Sequence, residues 1–190
     1  ITSKSIKVKN LVSFIRYLKN DQKLLLLEMV IKDGYLEGNI NLNFDEKGKV
    51  KNDFKINGIV KNLKIKKIKN YDLDDLNFIF DIRDKEYKFL EIDTKFNKIK
   101  LNSPSIIIKK VNNSFLINGR ILNNEKNISF DKIHDLLTVY YPHLDLKDLQ
   151  FVSDNNFSFK VNKNFRLSNL NINSEINLSK LTYKNNFKSI

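Results

Sequence analysis

A five-residue pattern recurs in this chain: a central glycine with an aliphatic residue two positions away on either side. Its three copies are Leu36-x-Gly38-x-Ile40, Ile56-x-Gly58-x-Val60 and Ile117-x-Gly119-x-Ile121. Each copy lies in a stretch of alternating apolar and polar residues, which is the two-residue period of a β-strand. The glycines and their aliphatic neighbours are therefore predicted to share an apolar, locally shallow face, and the opposite face is predicted to carry Lys, Asn, Asp and Glu.

The same period continues through most of the chain and predicts consecutive strands joined by short polar turns. Strands connected in this way pair antiparallel. Turns are expected at residues 45–49, 70–72 and 83–86, and Gly48 supplies the left-handed residue that the first of them often needs.

Three shorter features complete the predicted strands. Residues 3–8 alternate and predict a short strand, and the compact apolar run at 24–31 predicts another, with Gly34 in the turn after it. Pro104 is expected to start a strand, because proline cannot donate a ladder hydrogen bond.

Two interruptions have a helical period instead. Apolar residues at 11–18 are spaced i, i+3, i+4, i+7, with Asn10 as the expected N-cap. A second stripe at 133–141 follows Asp131 as N-cap and stops at Pro142. The predicted fold is therefore mostly β: a long curved antiparallel sheet with two short helices.

Composition narrows the class of protein. The chain lacks cysteine, so it has neither disulfides nor thiolate metal sites. The net charge of +12 comes with 30 lysines, four arginines and no alanine, which is typical of an AT-rich genome. Specific phosphate or base recognition relies on arginine, so no specific nucleic acid partner is expected. No apolar run approaches the roughly 20 residues of a membrane span.

No catalytic constellation is present, so an enzyme is not expected, and neither a cofactor nor a metal is. His134 and His143 lack the spacing of a helical metal pair. Asp72, Asp74 and Asp75 are not followed by the glycine and glutamate of a calcium loop, so a solvated turn is the interpretation for them.

The apolar face has two interpretations. It can pack on a second sheet or on the helices as an ordinary core, or it can stay open as a channel for apolar ligands. The short helices favour the second, because they are too short to cover roughly ten strands that span about 45–50 Å. The glycine-centred strands favour it too, since they leave no bulky side chain at their centres.

The strands at 36–44, 54–65, 76–82, 106–108 and 115–121, with a helix ending at Tyr140-Tyr141-Pro142, resemble the AsmA-like superfamily of Gram-negative bacteria, in particular its very long YhdP and TamB type. The resemblance implies a taco-like β-groove that carries phospholipid through the periplasm toward the outer membrane. It also implies a tether to the inner membrane outside this segment and a partner protein at the outer membrane. Because the chain begins at Ile1 without methionine or a signal peptide, residues 1–190 are interpreted as a single section of a larger protein.

On this hypothesis ten residues are predicted to line the groove and contact acyl chains: Ile40, Leu42, Phe54, Ile56, Phe78, Phe80, Ile106, Ile108, Phe115 and Ile117. The alternative hypothesis is a structural or binding β-domain, either a closed sandwich or a single-layer surface protein, in which the same residues are buried against each other. A nucleic-acid binder is a third hypothesis, and it rests on charge alone.

Overall fold

The computed structural model describes residues 2–18, 22–49, 51–68, 71–124, 128–129 and 146–183. The described residues form ten strands and two helices. In chain order these are β1 Thr2–Lys7, α1 Val8–Leu18, α2 Gln22–Val30, β2 Ile31–Asn41, β3 Lys55–Ile68, β4 Tyr71–Ile82, β5 Glu86–Phe96, β6 Ile99–Val111, β7 Ser114–Asn123, β8 Ile128–Ser129, β9 Leu146–Asn162 and β10 Leu167–Tyr183.

All ten strands belong to one antiparallel sheet. Nine of them follow the order β1-β2-β3-β4-β5-β6-β7-β9-β10, and the two-residue β8 pairs with β9 beside this path. The ends of the path, β1 and β10, do not pair with each other, so the curved sheet stays open. The predicted fold, a long antiparallel sheet with two short helices, is confirmed. At about 4.8 Å per strand the path spans roughly 38 Å.

One of the helices lies where a strand was predicted. Residues 24–31 were expected to be extended, but α2 covers all of them except Ile31, which begins β2. The run Leu24 to Met29 contains only residues of high helix propensity, and β-branched residues appear only at Val30 and Ile31. A short apolar run cannot by itself distinguish a buried strand from a helix.

Several predicted boundaries also move. Helix α1 begins at Val8, directly after β1, so Asn10 lies inside the helix and is not its N-cap. Gly34 lies within β2 instead of in a turn, and its φ of 135° and its close approach to the Leu63 backbone on β3 explain the glycine. The predicted helix at 133–141 lies outside the described residues.

Two further predictions are wrong in an informative way. Pro104 lies in the middle of β6, where the pairing with β7 shifts between Asn102 and Ile106, so its missing N–H falls at an interruption of the ladder. The aspartates Asp72, Asp74 and Asp75 lie within β4 and do not form a solvated turn.

The turns at 45–49 and 83–86 are confirmed, the first by Asp45, whose carboxylate accepts hydrogen bonds from the N–H groups of Lys47 and Lys49.

Bulges keep apolar side chains on one face of the sheet where the alternation of the sequence changes phase. Asn62 on β3, Asp75 on β4 and Glu91 on β5 have left-handed φ angles of 51–53°, and the pairing shifts beside each of them. An extra residue at a bulge reverses which side chains point to which face. This reversal puts Val60 and Leu63 on the same face, although they are three residues apart.

The helices cover one end of that face. Val12 of α1 packs with Ile31, Val60, Leu63 and Phe80 in the larger buried cluster of the described chain. The two helices are joined by Glu28, which accepts hydrogen bonds from Ser13 Oγ at 2.6 Å and Arg16 Nε at 2.5 Å. A smaller cluster lies on the same sheet near β8, where Ile128 is 2 % exposed and packs against Ile99.

Candidate functional site: the apolar face of the sheet

The three glycine patterns meet in one row across the sheet. Directly opposed residues of an antiparallel pair share a face, so the pairing register traces one row of residues from β2 to β10. We call this set the glycine row, and its members are Gly38, Gly58, Phe80, Phe89, Ile106, Gly119, Phe157 and Ile172.

A second row runs beside the first, two residues along each strand. It consists of Ile40, Ile56, Ile82, Tyr87, Ile108, Ile117 and Phe159. The structure therefore brings together on one face eight of the ten predicted lining residues, because Phe78 and Phe115 lie two residues from Phe80 and Ile117 on β4 and β7. The other two, Leu42 and Phe54, lie just beyond the paired ends of β2 and β3.

The glycines do not leave a shallow floor, because aromatic rings occupy the space above them. A Cβ atom placed on Gly58 would lie 2.8 Å from Cζ of Phe80, and one placed on Gly119 would lie 2.5 Å from Cζ of Phe157. Each ring thus packs over a glycine of the neighbouring strand. The expectation that these strands have nothing bulky at their centres is corrected: the bulk comes from the next strand in the sheet.

Burial along the face changes from one end to the other. Phe80 is 6 % exposed under α1, so it is a core residue, whereas Ile40 at the β2 end is 39 % exposed. The remaining eight predicted lining residues are partly buried. At the far end, β10 is exposed from Leu167 to Leu181, including its apolar side chains Leu167, Leu170, Ile172, Ile176, Leu178 and Leu181.

Between the two covered regions the face forms an apolar hollow of about 390 Å³. It lies beyond the bulges of β4 and β5 and extends to β7. Its lining consists of Leu73, Leu76, Ile92, Thr94, Phe96, Leu101, Asn102, Ser103, Ile106 and Ile121. Of these only Ile106 was predicted as a lining residue.

The other lining residues were missed because of the bulges. Ile92 and Leu101 belong to stretches whose alternation is irregular in sequence, and Glu91 at the bulge reverses the face that follows it. Two of the bulge residues, Asn62 and Asp75, are of types that favour a left-handed backbone, and this preference could have predicted their bulges. Glu91 is not of such a type, so its bulge could not be predicted in this way.

Ser103 is the one buried polar side chain of the hollow without a partner among the described residues. It is 5 % exposed, and its Oγ makes no hydrogen bond. The neighbouring polar groups are satisfied: Thr94 Oγ1 donates to the Asp74 carbonyl at 3.0 Å, and Asn102 Nδ2 donates to Asp93 Oδ1 at 2.9 Å.

The opposite face of the sheet carries mixed charge. Cross-strand ion pairs join Lys95 and Lys64 to Asp75, and Lys109 to Glu86, at 2.9–4.0 Å. Apolar side chains interrupt the charges, since Ile59, Ile79 and Leu90 oppose one another there, so the expectation of a wholly polar face is corrected. Exposed pairs of this kind contribute roughly 0–1 kcal/mol each.

A further ion pair, between Arg120 and Asp154, makes a pH dependence testable. Arg120 on β7 donates from its Nε to Asp154 Oδ1 on β9 at 2.8 Å, and this hydrogen bond lowers the pKa of Asp154. A carboxyl whose folded pKa lies below its unfolded pKa stabilises the fold above the unfolded value of about 4, and the stabilisation is lost as the pH falls through the folded pKa. We therefore expect Asp154→Asn to reduce the fall in melting temperature between about pH 5 and pH 2. Equal falls for Asp154→Asn and the original chain, measured by thermal unfolding, would contradict this.

Among the described residues, no three His, Asp or Glu side chains lie close enough to hold a metal ion. His134 and His143 lie outside the described ranges. Neither α1 nor α2 is long and apolar enough to cross a membrane.

The helices carry a further apolar surface. On α2, Leu25, Leu26, Leu27 and Met29 are all exposed, with Leu26 at 63 %, and Tyr17 of α1 is exposed beside them. Large exposed apolar groups in one place are typical of interaction sites. This surface lies at the β2 end of the sheet, because α2 leads directly into β2.

Comparison of the chain with protein-family models, with curated proteins and with solved structures returns no match.

Proposed function

We propose that the apolar face of the sheet carries the acyl chains of phospholipids, and that the chain is a section of an AsmA-like, bridge-like protein between the inner and outer membranes. In this role it acts in the periplasm as a carrier, without catalysis and without a cofactor. The observation that supports the proposal is the open, continuous apolar face, which the described helices and β8 cover only in part.

The physical reason is the cost of exposing an acyl chain to water. Each buried methylene is worth about 0.8 kcal/mol, so a chain of some sixteen carbons costs roughly 13 kcal/mol to move through water. A face on which aliphatic and aromatic side chains follow one another from strand to strand keeps the chain buried at each step. Movement along it then requires only small barriers between neighbouring positions.

Both ends of the sheet suit such a role. Strand β10 forms the last edge of the sheet among the described strands, where further strands of the same kind can be added. The apolar face continues onto this edge through Ile172 and Ile176. At the other end, the exposed leucines of α2 are suited to contact with a membrane surface, from which a lipid would enter.

A second candidate is a structural or binding β-domain without a lipid channel. The observation that favours it is the packing at the β2–β4 end, where Phe80 fills the space over Gly58 and belongs with Val12 to one buried cluster. If the whole face were closed in this way, no lipid would have access to it.

Lipid pickup distinguishes the two candidates. Ile117 and Leu116 are adjacent on β7, both partly buried, and point to opposite faces. The chain is mixed with vesicles that contain a self-quenched fluorescent phospholipid, and transfer to protein is followed by the rise in fluorescence. We expect pickup by the original chain, a loss of at least tenfold in Ile117→Lys, because a charge on the apolar face opposes acyl burial, and little change in Leu116→Lys. No pickup by the original chain, or equal loss in both variants, would favour the structural β-domain.

A further inference from the structure

We propose that the hollow between β4 and β7 is a binding site for one ester-linked acyl chain, whose neutral carbonyl oxygen accepts a hydrogen bond from Ser103 Oγ. This inference rests on the proposed function and makes it more specific. It names the site at which the acyl chain is bound and the side chain that contacts its ester group.

The hollow has the size and lining of a ligand site. Its volume of about 390 Å³ falls in the range of roughly 300–1,000 Å³ that is common for small-molecule sites. Seven of its ten lining residues are aliphatic or aromatic, and none is charged. Such a lining suits a hydrocarbon chain, and it gives no counter-charge to a carboxylate or a phosphate.

Among the described residues, Ser103 is the one buried polar side chain lining the hollow that has no hydrogen-bond partner. Its hydroxyl is buried, makes no hydrogen bond to the described residues, and lies on β6 beside Ile92 of β5. Buried polar groups in folded proteins are nearly always hydrogen-bonded, so each exception calls for a physical reason. A serine hydroxyl can donate one hydrogen bond, and an ester carbonyl is a neutral acceptor at the end of an acyl chain.

Water is a poor substitute partner at this position. A buried water molecule usually needs two to four polar partners, and apolar cavities tend to stay dry. The nearby polar side chains Thr94 and Asn102 already donate to Asp74 and Asp93. Ser103 alone would hold the water, so an amphiphilic ligand with a single acceptor fits the site better.

The test uses three probes that share a ten-carbon chain and differ at one end: methyl decanoate, decane and decanoate. Each is titrated into the isotope-labelled 190-residue chain, and the dissociation constant is taken from shifts of the β5 and β6 amide resonances. We expect methyl decanoate to bind about fivefold more tightly than decane, which corresponds to one net hydrogen bond. Decanoate is expected to bind most weakly, because nothing in the lining compensates its charge.

Three variants test whether Ser103 and the hollow account for the tighter binding of the ester. Ser103→Ala is expected to remove the advantage of the ester and to leave decane binding unchanged. Ser105→Ala, on the same strand but facing the other side opposite Leu90, is expected to change neither. Ile121→Trp, which fills the hollow, is expected to weaken both probes, and its amide spectrum shows whether it remains folded.

Equal binding of ester and decane by the original chain would overturn the inference, as would an ester advantage that survives in Ser103→Ala. A drop in the melting temperature of Ser103→Ala would also count against it, because loss of an unpaired hydroxyl is expected to be neutral or stabilising. If the ester does not bind in the hollow but the chain still takes up phospholipid, this inference fails and the proposed function stands. If the ester binds but the chain takes up no phospholipid, the proposed function fails instead.

Discussion

Replacing Phe80 by alanine is expected to lower the free energy of unfolding by about 3–5 kcal/mol, the usual cost of deleting a buried phenylalanine ring. Phe80 is 6 % exposed and belongs to the cluster that joins α1 to the sheet. Its ring also lies over Gly58 and reaches Gly38, so its loss exposes the backbone of β2 and β3. Urea unfolding followed by circular dichroism measures the change.

The control for this substitution is Phe44→Ala. Phe44 lies in the isolated bridge after β2 and is 56 % exposed, so its truncation is expected to cost less than about 1 kcal/mol, as surface substitutions usually do. Similar losses for the two variants would show that Phe80 is not the centre of the packed end of the sheet.

Replacing Gly58 by alanine is expected to destabilise the protein by about 3 kcal/mol, at the upper end of what overpacking usually costs. A Cβ on Gly58 would lie 2.7 Å from the Cα of Gly38 and closer still to the carbonyl oxygen of Glu37. These are backbone atoms of β2, so relief of the clash requires that the two strands move apart. The expected result is a lower urea midpoint with weakened protection of the β2 and β3 amides from hydrogen exchange.

Gly119→Ala is the matched comparison. Its added Cβ would meet the ring of Phe157 at 2.5 Å and Cγ1 of Ile106 at 3.0 Å, both of which are side-chain atoms that can rotate away. We expect its loss of stability to be smaller than that of Gly58→Ala. The reverse order would mean that β2 and β3 are not in the close contact described for this pair of glycines.

Much of the sheet was predictable from the sequence because alternation is a local property. Residues 36–41, 55–60, 76–82 and 114–121 follow a period of two, broken only by Ile59, Ile79 and Leu116, and the structure places their other apolar positions on one face, as predicted. The prediction of a strand at 24–29 was wrong because four consecutive leucines show no hydrophobic period. There the intrinsic preference of Leu, Glu and Met for a helix decided the outcome.

The site was less predictable, because its decisive contacts join distant parts of the chain. The ring that fills the space over Gly119 comes from Phe157, and no residue near Gly119 in the sequence predicts this contact. Ser103 precedes a proline and has the sequence context of a loop, yet it lies buried inside β6. The bulge at Glu91 reverses the faces of β5 without a residue type that favours a left-handed backbone.

The most direct test of acyl binding on the apolar face is site-specific photo-crosslinking in living cells. A photoreactive amino acid is placed at Ile117, on the apolar face, or at its neighbour Leu116, on the opposite face. The protein is then purified after irradiation and analysed by mass spectrometry. A phospholipid adduct at Ile117 that is absent or much weaker at Leu116 is the expected result. No adduct at Ile117, or equal adducts at both positions, would contradict acyl binding on the apolar face.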